Sequence, residues 1–248
     1  MAQFPSVPDR IASAGSELFQ SNLSAAAFGN PANGDSIGGA KFLLYSTQTF
    51  LLNELTETGI AFAFLLPGAT QFTAGYATRG FDLYRKHNAV LSLSKQFGAV
   101  SAGIRTAYIG TQFGEGYPGE HRWRITPGTR IRFGRQLEMI ASMDVPIHRL
   151  QDARMEEARL GCIHHFSSRF SAGIEAVQTG NGLRLAGAIR YRPGERTEFF
   201  GGLSGREVVW SFGCSVLVKG VRVLVAASHT PWLGFSPGLS VESSMIRP

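Results

Sequence analysis

The chain has 248 residues, room for one large domain or two small ones. Only 17% of them are charged and 30 are glycine, against roughly 25% charged and 7% glycine in soluble domains; with 44% apolar residues this excludes disorder and a coiled coil. The longest apolar run, 60–66, is far short of the ~18 residues of a spanning helix, and two cysteines, Cys162 and Cys214, are too few for a disulfide scaffold or a metal cluster.

The first ten residues, MAQFPSVPDR, have no apolar core of the kind a secretory signal needs, so an export signal is absent from the sequence as written. Stretches 13–19 and 22–28 are small and partly apolar and predict two short helices. They lead into the turn-rich segment 29–35, where the Pro31 ring disfavours helix at Asn30. Residues 1–37 therefore form a plug or cap unlike the rest, and 38–248 form the second unit.

From Gly39 onward apolar and polar residues alternate with period two, broken by glycine, proline or polar turns. The pattern predicts fourteen strands, or twelve at the lower bound: 39–50, 58–66, 70–79, 87–96, 99–110, 122–133, 136–145, 157–166, 169–178, 183–192, 196–204, 207–218, 220–229 and 235–243. Every second turn is brief, as at Gly134-Arg135 and Lys219, whereas 51–57, 80–86, 111–121 and 146–156 are longer. Outer-membrane barrels have this asymmetry, with short periplasmic turns and longer external loops.

The two faces of the strands differ in chemistry. In the hairpin closed at Gly134-Arg135 one face carries Trp123, Ile125, Ile131, Phe133, Leu137, Met139 and Met143. The other carries Arg122, Arg124, Thr126, Arg130, Arg132, Glu138 and Asp144, with Arg132 opposite Glu138 and Thr126 opposite Asp144. The hairpin over 169–192 repeats the pattern, with Glu175 diagonal to Arg184 on the face that also holds Arg190. A soluble sandwich would turn the apolar face to a core. The low charge, the excess of arginine suited to bidentate carboxylate pairs, and the aromatics Tyr45, Tyr76, Tyr108, Trp123, Tyr191 and Trp210 near strand ends favour lipid outside and a charged lumen. Arg122, Arg124, Arg130, Arg132, Arg184 and Arg190 with Glu138, Asp144 and Glu175 are the expected lumenal network, structural first and selective second.

Resident chemistry finds little support. His164 and His165 point to opposite faces of one strand, a poor metal pair, and His87, His121, His148 and His229 fall near strand ends or in loops. Cys162 and Cys214 lie on the apolar face of strands that are not neighbours and are expected as buried free thiols. No serine has a nucleophile-elbow setting, and the glycine-rich 110–119 matches no phosphate loop. The net charge of +6 would suit nucleic acid on an exposed basic face, but the arginines are placed inside. No enzyme, cofactor, metal or nucleic-acid partner is expected.

Three stretches carry a family resemblance: Asn30-Pro31-Ala32 after a small-residue helix; the run from Gly80 through Lys86 followed by that from Val90 to Lys95; and the stretch from Ser228 to Pro237. In their order the chain resembles the FadL-like outer-membrane barrels, in particular the PorV/PorQ-type branch of Bacteroidetes-like bacteria linked to type IX secretion. The resemblance implies a 14-stranded barrel in a Gram-negative outer membrane, with Asn30, Pro31 and Ala32 as the hatch motif of a lumenal N-terminal segment. The chain is short for the family, without large external loops, and its end from Ser244 to Pro248 lacks the usual final aromatic. The expected function is therefore an accessory subunit that docks partner proteins at the membrane, with lipid and other surface proteins as partners. The alternative is a passive channel for small hydrophobic compounds.

Overall fold

The computed structural model describes residues 8–19, 23–36, 39–68, 70–114, 117–147, 156–205 and 208–245. His148, most of the connection 146–156, the turn residue Arg206 and the final residues 246–248 lie outside the described residues.

Fourteen antiparallel strands close into one barrel. They are β1 (Ala40–Gln48), β2 (Thr56–Leu66), β3 (Thr70–Phe81), β4 (Tyr84–Phe97), β5 (Val100–Phe113), β6 (Glu120–Phe133), β7 (Leu137–Pro146), β8 (Glu157–His165), β9 (Phe170–Thr179), β10 (Gly182–Tyr191), β11 (Thr197–Ser204), β12 (Val209–Val218), β13 (Val221–Thr230) and β14 (Gly234–Met245). Each pairs with the next, and β1 seals the cylinder against β14, from Ala40 opposite Met245 to Thr47 opposite Gly238. Closure leaves no strand edge unpaired, the condition for a sheet in hydrocarbon.

All fourteen predicted strands are present, and the charged hairpin has the expected register, Arg132 facing Glu138. Pro127 has no N–H to give, and the β6–β7 ladder passes from Ile125–Val145 directly to Gly128–Ser142 around it. Several strands run longer than predicted. The expected loop 80–86 shrinks to a two-residue turn at Asp82-Leu83, because β3 continues to Phe81 and β4 restarts at Tyr84. The positive φ of Gly80, 121°, lets the chain enter that hairpin without a break. The connection 111–121 likewise contracts to 114–119, since Tyr84 and Phe113 pair their rings at 5.8 Å beyond the predicted strand ends.

Outside, the wall is an apolar belt: Leu160, Ile174, Leu185, Phe212 and Val225 are all more than half exposed. Rings gather at both ends of it. Tyr76 stacks with His87, Tyr108 stacks with His121 and meets Trp123 at a tilt, and Trp210 stacks with His229 and meets Phe235 edge-on, at the end that bears the longer connections. Phe97, Phe133, Phe166, Phe170 and Tyr191 mark the short-turn end. Such girdles mark the two membrane interfaces. Tyr45 does not belong to them: it points inward, is 5% exposed and donates from its hydroxyl to Glu57 at 2.8 Å. Cys162 and Cys214 sit half-buried on the belt rather than fully buried.

The described part of the N-terminal segment fills the lumen. It comprises α1 (Pro8–Ala12), a tight reversal with positive φ at Ala14 and Gly15, α2 (Leu23–Phe28) and a 3-10 turn over Pro31–Ser36. The helix predicted over 13–19 does not form. Ser13 instead donates from its hydroxyl to the Ser16 carbonyl at 2.7 Å, a local bond that competes with helix. Helix occurs earlier, at Pro8–Ala12, and the turn-rich 29–35 tightens into the 3-10 turn.

Candidate functional site: the plugged lumen

The plug comes very close to the wall, and glycine makes that approach feasible. A Cβ on Gly128 of β6 would lie 2.1 Å from the Asn30 side-chain oxygen, and one on Gly202 of β11 would lie 2.5 Å from the Ser13 carbonyl carbon. Gly213 and Gly161 face Ala12 and Leu18 in the same way. Part of the glycine excess is thus a seat for the plug rather than a property of turns.

At the centre of the seat lies Asn30-Pro31-Ala32. Asn30, 1% exposed, donates from its amide to the carbonyls of Thr129 (3.3 Å) and Ala141 (3.0 Å), which face each other across β6 and β7. Its side-chain oxygen accepts from the Ala32 N–H at 2.9 Å and so opens the 3-10 turn. Pro31 lies against Gly103 of β5, and Ala32 is fully buried. The motif therefore ties the plug to three strands through backbone groups.

On one side of the lumen the contact is apolar. Leu23, Ala26, Ala27 and Phe28 of α2 pack on Leu43, Ala61, Ala63, Ala77, Val90 and Ala107 of β1–β5. Phe28 meets Tyr45 edge-on at 5.6 Å, and Ser92 donates to the Ala26 carbonyl at 3.0 Å. Just beyond Phe28, toward the longer connections, lies a cavity of about 60 Å³. Leu55, Ala77, Val90, Ala107 and Ile109 form its apolar wall, and Asn88, Lys86, Arg105 and Arg124 its polar one. A second apolar cluster joins Ile11, Leu18 and Phe19 to Ile140, Ile163, Phe200 and Leu224.

On the other side the contact is ionic. Arg10 and Glu17 of the plug pair directly. Arg159 of β8 takes Glu157, Glu175 of β9 at 3.3 Å and Glu17 at 3.6 Å, and donates to the Gly15 carbonyl at 3.2 Å. Glu175 also accepts the Glu17 backbone N–H at 3.2 Å. Burial alone would push the Glu17 carboxyl up, but Arg10 and Arg159 outweigh it and hold it below its ordinary value. Nearer the longer connections Asp144 receives Thr126, Arg124 at 3.3 Å and Arg105 at 3.3 Å. Arg124 also takes Glu156, and Arg105 donates to the Gly29 carbonyl at 2.6 Å.

The expected network is thus several clusters rather than one. Arg124 and Asp144 share the upper cluster, and Glu175 stands in the central one with Arg159 rather than with Arg184. Arg130 and Arg132 hold Glu138 near the short turns. Arg122 lies at the exposed rim, paired with Glu120 at 2.9 Å. Arg184 hydrogen-bonds Ser204 at 3.3 Å and touches the reversal at Gly15, and Arg190 lies over the Phe19 ring at 5.2 Å. Sequence pattern missed Arg10, Glu17, Arg105, Glu157 and Arg159, along with the pairs of Glu198 with Arg192 and Arg222 and of Lys41 with Glu242. Inward parity on the strands was the signal available for Arg105 and Arg159; nothing local marks Arg10 or Glu17.

One catalytic-looking arrangement does assemble. His165 shares a hydrogen bond with Ser171 at 2.8 Å and faces Glu138 at 3.3 Å, inside the short-turn end. The Glu138 carboxylate is already engaged by Arg130 and Arg132, and Ser171 is 4% exposed. A nucleophile needs a free orienting acid and access for its acyl group; this cluster is an ion-pair net with a hydroxyl attached.

No family model matches the chain, and no curated protein is similar to it in sequence. Its fold is similar to that of several solved structures. The toluene transporter TbuX of Ralstonia pickettii superposes with a TM-score of 0.69 at 11% identity, over 96% of this chain and 98% of that one. A deletion mutant of the monoaromatic hydrocarbon channel TodX, from Pseudomonas putida, gives 0.66 at 9% identity, over 98% of each chain. An outer membrane protein of Acinetobacter baumannii gives 0.57 at 8% identity, over 84% of this chain and 98% of that one. At such identities the likeness is one of fold, which here is a closed fourteen-stranded antiparallel barrel.

Proposed function

We propose that the protein is a channel for small hydrophobic compounds in a Gram-negative outer membrane, gated by its N-terminal segment. The observation that carries this is the apolar half of the lumen. A pore for polar solutes has no use for a wall of Leu43, Ala61, Ala63, Ala77, Val90 and Ala107 facing a phenylalanine. The apolar side of the cavity beside Phe28 continues that wall toward the outer mouth. A guest entering there would exchange its own apolar surface for that of α2, at about 25 cal/mol per Å² on each side, so displacing the helix costs little net burial. The barrels of similar fold, described as a toluene transporter and a monoaromatic hydrocarbon channel, support this reading.

The test is uptake of toluene by cells or vesicles carrying the barrel. Phe28→Ala, which widens the cavity, is expected to raise the rate, and deletion of residues 8–36 to raise it further. Uptake equal to that of barrel-free membranes in all three cases rejects the channel.

Small size and short connections, such as 82–83 and 180–181, support a second reading, a PorV/PorQ-like subunit that docks partner proteins. In that case the barrel leaves its native membrane in mild detergent with another protein bound. On either reading the chain carries no catalytic role.

A further inference from the structure

Among the described residues the exposed charge of the barrel is unevenly divided between its two ends. Five successive hairpins at the short-turn end each carry one exposed cation. Lys95 is at the foot of β4–β5, Arg135 between β6 and β7, Arg169 between β8 and β9, Arg196 between β10 and β11, and Lys219 between β12 and β13. The one exposed acid on these turns is Glu195. Among the described residues none of the five cations is in an ion pair. The opposite rim differs: its exposed Arg85 and Arg122 pair with Asp82 at 3.4 Å and Glu120 at 2.9 Å, and Glu54 is exposed on the β1–β2 connection.

We propose that this ring of turn-borne cations binds the phosphate headgroups of anionic phospholipids in the leaflet next to the short turns. Placement argues for lipid over a protein partner. The cations run around the circumference, one hairpin apart, instead of clustering on one side where a protein would dock. Arg135, Arg169, Arg196 and Lys219 lie on the turns next to the aromatic ring of Phe97, Phe133, Phe166, Phe170 and Tyr191, and Lys95 lies two residues before Phe97 on β4, all at headgroup depth. Lys95 shows the geometry directly. It shares the outward face of β4 with Leu91 and Leu93, and its ammonium lies 5.5 Å from the Phe97 ring, with its stem along the belt and its charge at the interface. One place on the ring is recessed: Ser168, Arg169, Arg192, Gly194, Glu195 and Glu198 line a hollow of about 570 Å³ between two adjacent hairpins, where Arg192 is paired with Glu198 and Arg169 is the cation without an ion pair among the described residues. The inward arginines at this end, Arg130, Arg132, Arg192 and Arg222, share Glu138 and Glu198 as ion-pair partners, whereas the outer ring has no such acids paired to it among the described residues.

The experiment compares three full-length proteins in vesicles of equal phosphatidylglycerol and phosphatidylcholine: the unaltered chain, a variant with Lys95→Gln, Arg135→Gln, Arg169→Gln, Arg196→Gln and Lys219→Gln, and a control with Arg85→Gln and Arg122→Gln. Lipid retained after mild detergent extraction is counted by mass. The unaltered chain and the control are expected to keep phosphatidylglycerol in preference, and the five-site variant to lose that preference, by about fivefold per cation removed at low salt. Two results overturn the proposal: equal retention by all three proteins, or an acidic soluble protein captured by the ring while lipid retention stays unchanged. If the five-site variant does not fold, raising the salt on the unaltered chain serves instead, and retention indifferent to salt overturns the proposal equally.

Discussion

Along β1–β5 the plug meets alanines, Leu43 and Val90; along β8 and β9 it meets Arg159, Glu157 and Glu175. Both faces bury the same short segment, yet they hold it differently. Apart from the hydrogen bonds of Ser92 to Ala26 and of Leu23 to Glu242, the apolar face is held by contacts without direction, which on the proposed function an apolar guest of suitable shape would replace. The ionic face works only when each carboxylate finds its guanidinium, so it fixes position and admits no substitute. A plug held in this way has a fixed side and a replaceable side, which is what a gate for apolar compounds requires.

The comparison breaks most severely at Arg159. Arg159→Ala would leave Glu17, Glu157 and Glu175 buried without their shared cation, and loss of one partner of a buried pair costs roughly 3–5 kcal/mol. The folded barrel should unfold at a clearly lower temperature, read by its gel mobility after heating; a shift worth less than about 1 kcal/mol would show that water already enters this cluster. On the apolar side Phe28→Ala is expected to cost about 3 kcal/mol by the same measurement, while leaving the ionic contacts intact. Acid sharpens the contrast. Because Arg10 and Arg159 depress the Glu17 carboxyl in the folded protein, its contribution is complete above the ordinary value of 4.5 and is lost as pH falls through the lower folded value. Protection of the plug amides, taken relative to their intrinsic exchange rate at each pH, should therefore be steady from neutral pH down to about 5 and fall only below about 4. The smallest effect belongs to Arg122→Gln. An exposed pair with Glu120 is worth less than about 1 kcal/mol, and a larger loss of stability would mean that the rim is less wet than it looks.

The wall of the barrel was readable in the sequence because a strand repeats every two residues and a hairpin fixes register locally. Thr126 and Asp144 could be placed together eighteen residues apart for that reason. The plug was not readable to the same degree. Its helices are short enough that local bonds such as that of Ser13 decide them, and its partners lie far along the chain. The contact from Glu17 to Glu175 spans 158 residues, and no periodicity reports such a distance. The apolar half of the lumen was hidden for another reason. Its wall is largely alanine, which reads as filler in a strand unless a phenylalanine is known to face it. The aromatic signal misled at Tyr45, where parity decides inward against outward and Glu57 stands ready on β2.

The first of the described residues rest on the last strands. α1 packs on β12, β13 and β14, the Ala12 carbonyl receives the Ser211 hydroxyl at 3.0 Å, and the Leu23 N–H reaches Glu242 at 3.1 Å. A polypeptide made from its amino end must therefore keep these residues waiting until the final hairpin arrives. The same Glu242 sits on the strand that joins β1 at the seam, so the event that closes the cylinder also completes the berth of its stopper. Biogenesis would then deliver the protein shut, and opening would come afterwards as a separate act.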